Sequence, residues 1–279
     1  VAQYPGLNVG ITRFDGRLLG DLSFDFDGDI FTNPIKYDPP QGGMVAIEMM
    51  PSEGNALRFE NTIKSWDAWG MTPLSESYYE AARYLRGDTV KYGDRTKVFA
   101  TRDSFLGFGG TYHDYPSVAG SRLGNVSTAG YESPITESCQ GNHIIVFSDG
   151  IPVEDTDANS DIQRLISGLP LDPGLASNCT GECADELAYY LSTVDQFSEP
   201  SDLPGTQTIR THAISGFVTD AQKAETDRLL RSMSETHGQG IFASAQTEEE
   251  IRNAFRKIFD NITTTSTSFT APVVSVNAF

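Results

Sequence analysis

The chain has 279 residues, enough for one large domain or two small ones with a sizeable core. Its 38% hydrophobic and 21% charged residues are an ordinary globular balance, and 26 Gly and 14 Pro are too few for a collagen-like or wholly disordered chain. The charge is not ordinary: 38 Asp and Glu against 20 Lys and Arg give −18, a field that repels nucleic-acid phosphates and anionic membrane surfaces but suits hard cations with oxygen ligands.

In chain order, residues 8–14 (NVGITRF) and 44–49 (MVAIEM) read as strands, separated by an irregular insertion over about 15–43 rich in Asp, Gly and Pro. Thr72-Pro73 opens a helix with Leu74, Tyr78, Ala81, Ala82 and Leu85 on one face, and Gly87 ends it. A second insertion, about 87–141, carries Gly, Ser, Tyr and Asp with little periodicity. The run 143–148 (HIIVFS) is nearly all apolar, as a strand buried on both faces of a sheet should be. A helix over 183–194, a strand over 209–217, a helix over 221–236 stopped at Gly238, and a strand over 240–243 follow.

Thr247 and Glu250 then form a capping box. Behind it Ile251, Ala254, Phe255, Ile258, Phe259 and Ile262 recur at helical spacing. Residues 263–268 (TTTSTS) are a polar linker, and 270–279 (TAPVVSVNAF) read as a strand leading onward. Strand–helix alternation predicts a doubly wound, mostly parallel α/β sheet flanked by helices. No run of roughly 18 apolar residues exists, so no membrane-spanning helix is expected. The start at Val1, without Met or a leader pattern, points to an excerpt or a processed product.

There are three cysteines. Cys179 and Cys183 enclose only Thr-Gly-Glu, close enough for a local disulfide in an oxidising compartment, which leaves Cys139 over. A zinc site lacks a second ligand pair at the right spacing, and His143 and His212 are isolated along the sequence.

In doubly wound sheets ligands bind beyond the carboxyl ends of the strands. Asp149 follows the buried strand in Ser-Asp-Gly, and Thr72 precedes its helix in Gly-Met-Thr-Pro-Leu. A hydroxyl and a carboxylate converging there can hold Mg²⁺ with waters completing the shell. The plainer alternatives are an N-cap for Thr72 and a turn for Asp149-Gly150. Asp25, Asp27 and Asp29 alternate around a Gly and make a possible second site, for Ca²⁺. Asp155, Asp157, Asn159 and Asp161 imitate half an EF-hand loop, but Ser160 replaces the required Gly and Ile166 the closing Glu. Motifs of hydrolases, P-loop enzymes, zinc proteases and dinucleotide-binding proteins are missing from the sequence, so an enzyme is not expected.

The Asp-Gly after a buried strand and the Thr before a helix resemble the third and second loops of a von Willebrand factor A (vWA) domain. Residues 72–87 (TPLSESYYEAARYLRG), 133–150 (SPITESCQGNHIIVFSDG), 183–195 (CADELAYYLSTVD) and 268–279 (SFTAPVVSVNAF) are similar to the PilY/PilC family of type IV pilus tip adhesins. With NVGITRF, the likeness spans nearly the whole chain.

The resemblance implies a vWA-like domain over 1–268 and a lead, 269–279, into a C-terminal β-propeller. It also implies secretion to the bacterial surface at the pilus tip. In such a domain Thr72 and Asp149 would belong to a metal-ion-dependent adhesion site for Mg²⁺ or Ca²⁺. The partners implied are minor pilins and a host-cell or abiotic surface, with a role in pilus biogenesis and twitching. Tyr112, Tyr115 and Tyr131 of the second insertion would shape the contact surface.

One departure stands out. The family's first loop, Asp-x-Ser-x-Ser, follows a central strand that should precede NVGITRF. The nearest match, Asp21-Leu22-Ser23-Phe24-Asp25, lies after it and ends in Asp. The first strand and helix are therefore expected upstream of Val1 or from a neighbouring chain. The alternative function is an assembly domain that docks minor pilins, with a vestigial or Ca²⁺-regulatory metal site.

Overall fold

The computed structural model describes residues 4, 6–15, 42–66, 72–94, 97–101, 111–114, 116–126, 129–138, 140–153, 155–179, 181–197 and 203–267. The cluster of Asp25, Asp27 and Asp29, together with Cys139, Tyr115 and residues 268–279, lies outside them.

The protein is α/β. Its centre is a parallel sheet of β5 (Asn142–Ser148), β6 (Ile209–Gly216) and β7 (Phe242–Ala245), in that order. The register pairs Asn142 with Ile209 and Ser148 with Ser215, then Ala213 with Phe242. Alternation along β5 sends Ile144 and Val146 to one face and Ile145 to the other.

The first face packs on α2 (Leu74–Arg86), α4 (Ala184–Thr193) and α5 (Asp220–Arg231) through Leu74, Tyr78, Leu187, Leu191, Leu229 and Leu230. The second face packs on α6 (Glu248–Thr267) through Ala254, Ile258, Phe259 and Ile262. Burying a large aliphatic side chain of this kind contributes about 1.5–3 kcal/mol. The capping box of α6 forms as expected: Glu250 N–H donates to Thr247 Oγ1 (3.2 Å), and Thr247 N–H to Glu250 Oε2 (3.1 Å). No helix among the described residues is long and apolar enough to cross a membrane.

A separate antiparallel pair, β1 (Asn8–Asp15) and β2 (Gly42–Pro51), lies against α2. The outer edge of β2 is already occupied. Val118 N–H donates to Val45 O (2.9 Å), Val45 N–H to Ser117 Oγ (2.9 Å) and Met49 N–H to the Tyr84 hydroxyl (2.8 Å). The outer edge of β1 and the outer edge of β5 pair with no strand among the described residues. The same two helices bracket both edges. Phe14 and Ile144 lie in the α2 core, while Leu7 and Ile145 lie against the α6 core.

The structure adds elements that the sequence pattern hides. The second insertion is not wholly irregular: it holds an antiparallel pair, β3 (Lys97–Thr101) and β4 (Thr111–Asp114), and two 3₁₀ turns. Helices α1 (Ala56–Lys64) and α3 (Asn159–Ile166) were not expected either, and α1 buries only Phe59. The last strand is β7 at 242–245, not 240–243. Gly240 sits so close to the carbonyl of Thr211 that a Cβ would overlap it, and the chain is still turning there. Helix α5 stops at Arg231 and continues as a π-helical turn, Ser232–Thr236. Gly87 does close α2, in the left-handed conformation at φ 72°.

Candidate functional site

The rim at the carboxyl ends of the parallel strands is built from three neighbouring loops. The loop after β5 carries Asp149, whose carboxylate is exposed and has no hydrogen-bond or ion-pair partner among the described residues. The Ser148 hydroxyl, buried beneath it, donates to the Gly150 carbonyl (3.0 Å) and holds the turn.

The loop before α2 carries Thr72, half-buried. Its carbonyl accepts from Leu74 N–H (2.9 Å) and from Val153 N–H (3.2 Å). The second bond ties the Thr72 loop to the Asp149 loop, so the two predicted residues stand on adjoining loops of one rim. Thr72 is not the N-cap that its spacing also allowed: Pro73 takes that position, and the Thr72 hydroxyl makes no capping bond. The third loop, after β6, carries Phe217. That residue is 55% exposed and holds φ at 58°, a left-handed backbone costly for a bulky side chain.

The N-terminus of α2 is capped in trans. Asp155, from the loop after β5, accepts from Ser75 N–H (2.6 Å), the Ser75 hydroxyl (2.8 Å) and Glu76 N–H (3.4 Å). Glu76 returns the cap: its Oε1 accepts from Asp157 N–H (2.7 Å) and Ala158 N–H (3.4 Å), just before α3. Both carboxylates are buried. Burial first, then the neighbouring Glu76, pushes the Asp155 carboxyl up to about 10. The EF-hand reading fails here, because Asp155 turns inward to cap α2 and Asp161 pairs with Lys91 and Arg164.

Glu80, one turn further along α2, is another buried hub. It accepts from the N–H groups of Lys91, Tyr92 and Gly93 and from the Tyr131 hydroxyl (2.7 Å). Tyr131 is therefore a core residue, 1% exposed, and not part of a recognition surface. Tyr112 sits on β4.

Two further expectations change or sharpen. His143 and His212, distant in sequence, meet across β5 and β6, with Nδ1 of His143 3.0 Å from Nε2 of His212. The Ile241 N–H donates to His212 Nδ1 (3.1 Å), so His212 carries its proton on Nε2 and donates it to His143. Burial, reinforced by nearby positive charge, lowers them to about 3 and about 4 respectively. Cys179 and Cys183 lie at disulfide distance, with Cα atoms 5.6 Å apart. Glu186 approaches the same sulfurs, but it caps Ala176 N–H (3.1 Å) and burial raises it to about 7.

The residues at the rim fit a hard cation in type: Thr72 offers an uncommitted hydroxyl and Asp149 an exposed carboxylate. No protein-family model, curated protein or solved structure matches the chain.

Proposed function

We propose that this chain is a vWA-type, metal-dependent adhesion module at the tip of a bacterial type IV pilus. The observation that carries the proposal is the Val153–Thr72 bond, which brings the Thr72 hydroxyl loop and the Asp149 carboxylate loop onto one rim beyond the parallel strands. Thr72 and Asp149 would hold Mg²⁺ or Ca²⁺, and the ion would leave a position for a carboxylate of the bound surface. In this role they orient an ion and catalyse nothing. The edges of β1 and β5 that meet no strand among the described residues, bracketed by α2 and α6, are where the expected central strand and its Asp-x-Ser-x-Ser loop would seat. Phe217 would supply apolar contact beside the ion.

The test is an Asp149→Ala substitution in piliated cells. Adhesion to host cells or plastic should be lost while pilus number is kept. Adhesion at the wild-type level would refute the proposal.

A second reading, an assembly domain that docks minor pilins, is favoured by the same edges, which meet no strand among the described residues and could take an added strand. Under it, Asp149→Ala leaves adhesion and assembly unchanged, or spoils assembly.

A further inference from the structure

Glu76 and Asp155 form a buried pair of carboxylates. Among the described residues no Lys, Arg or His pairs with either: Lys91 and Arg164 are both committed to Asp161. The Tyr92 hydroxyl is surrounded by Glu76, Asp157, Asp161 and Glu80, and the Lys91 ammonium that lies over the Tyr92 ring is the one paired with Asp161.

Three of the four carboxylate oxygens are satisfied. Asp155 Oδ1 receives the amides of Ser75 and Glu76, Asp155 Oδ2 the Ser75 hydroxyl, and Glu76 Oε1 the amides of Asp157 and Ala158. The fourth, Glu76 Oε2, is buried and has no donor. It is also on the carboxylate that lies within hydrogen-bonding reach of Asp155. Two neighbouring buried carboxylates do not both stay ionised without a cationic partner, and the amides already aimed at the other oxygens leave a poor shell for one.

We propose that Glu76 and Asp155 share a single proton and act as positioning residues that lock the Thr72 loop to the Asp149 loop. While the proton is held, each acid caps the other's helix and the rim keeps one shape. When it leaves, like charges drive the N-termini of α2 and α3 apart. The inference stands on the geometry of the two loops and does not depend on the rim binding a metal.

The sign follows from linkage. The folded pair keeps a proton that the unfolded chain releases near the ordinary carboxyl range, so stability falls as pH rises toward about 10. Glu76→Gln supplies an N–H donor in place of the proton and keeps the acceptor for Asp157 and Ala158. Unfolding constants of the wild type and this variant, measured in urea from pH 6 to 9, should diverge tenfold per pH unit, the wild type losing stability. Amide exchange at Ser75, Glu76, Asp157 and Ala158 should accelerate in the wild type above pH 9 beyond the intrinsic rate, and not in Glu76→Gln. A wild-type-to-variant ratio that stays constant across pH 6–9 would overturn the proposal.

Asp155→Asn provides a second reading of the same proton. The infrared carbonyl band of a protonated acid, present in the wild type at pH 8, should be diminished in this variant. An undiminished band would also overturn the proposal.

Discussion

Replacing Glu80 by Gln tests whether the loop after α2 is held by a buried charge. The side chain is fully buried, and every group facing it is a donor: three backbone amides and the Tyr131 hydroxyl. Burial raises the carboxyl's pKa, and on that ground alone a neutral Gln should relieve the site. The hydrogen-bond pattern argues the reverse. Gln keeps one acceptor oxygen but turns an NH₂ toward the amides of Lys91 and Tyr92, which approach Oε2 at 3.3 and 3.1 Å. A protonated Glu escapes this by donating to Tyr131, which can pass its own proton to Ser117 Oγ at 2.8 Å. Gln turned to donate to Tyr131 in the same way leaves the Gly93 amide without an acceptor. One or two charge-assisted bonds are lost, at about 1.5–3 kcal/mol each, and buried amides are left unpaired at about 1–3 kcal/mol. The expected cost is about 3–5 kcal/mol, read as a lowered midpoint in urea unfolding at pH 7. A Glu80→Gln protein within about 1 kcal/mol of wild type, or more stable, would refute the reasoning.

Two other predictions rest on single features. The His143–His212 pair has pKa values depressed below the unfolded imidazole value, so its stabilisation is present above about pH 6.5 and is lost as pH falls toward 4 and then 3. His143→Phe, which keeps a ring and removes the titrating group, should flatten that acid limb in a thermal-melt series, and an unchanged limb would contradict the pairing. Phe217→Gly should leave stability within about 1 kcal/mol of wild type, because the strain relieved at φ 58° is offset by the burial lost from a ring that is only 55% exposed. The same variant should weaken adhesion if the exposed ring contacts the bound surface.

Local signals carried part of this structure in the sequence. The capping box and apolar stripe of α6, the apolar run of β5 and the glycine after α2 each act within a few residues, so they could be read directly. The positions of Thr72 and Asp149 on adjoining loops were legible for the same reason, each being the residue next to a recognisable strand or helix end. Helix α1 was not, because it buries one side chain and its Asn55 makes no capping bond. The trans caps of Asp155 and Glu76, the Glu80 hub and the histidine pair were hidden too. Each joins residues dozens of positions apart or depends on the register of parallel strands, which alternation does not specify. Asp155 was visible only as one acid among many in a chain at −18, and its burial, not its spacing, reveals its role.

The central claim is that Thr72 and Asp149 form one cation-binding rim. Its most direct test is calorimetric titration of the chain with Mg²⁺, Mn²⁺ and Ca²⁺, beside Thr72→Ala and Asp149→Ala. Saturable binding by the wild type, lost in Asp149→Ala and weakened in Thr72→Ala, is the predicted result. Binding that survives the loss of Asp149, or no binding by the wild type, would contradict it.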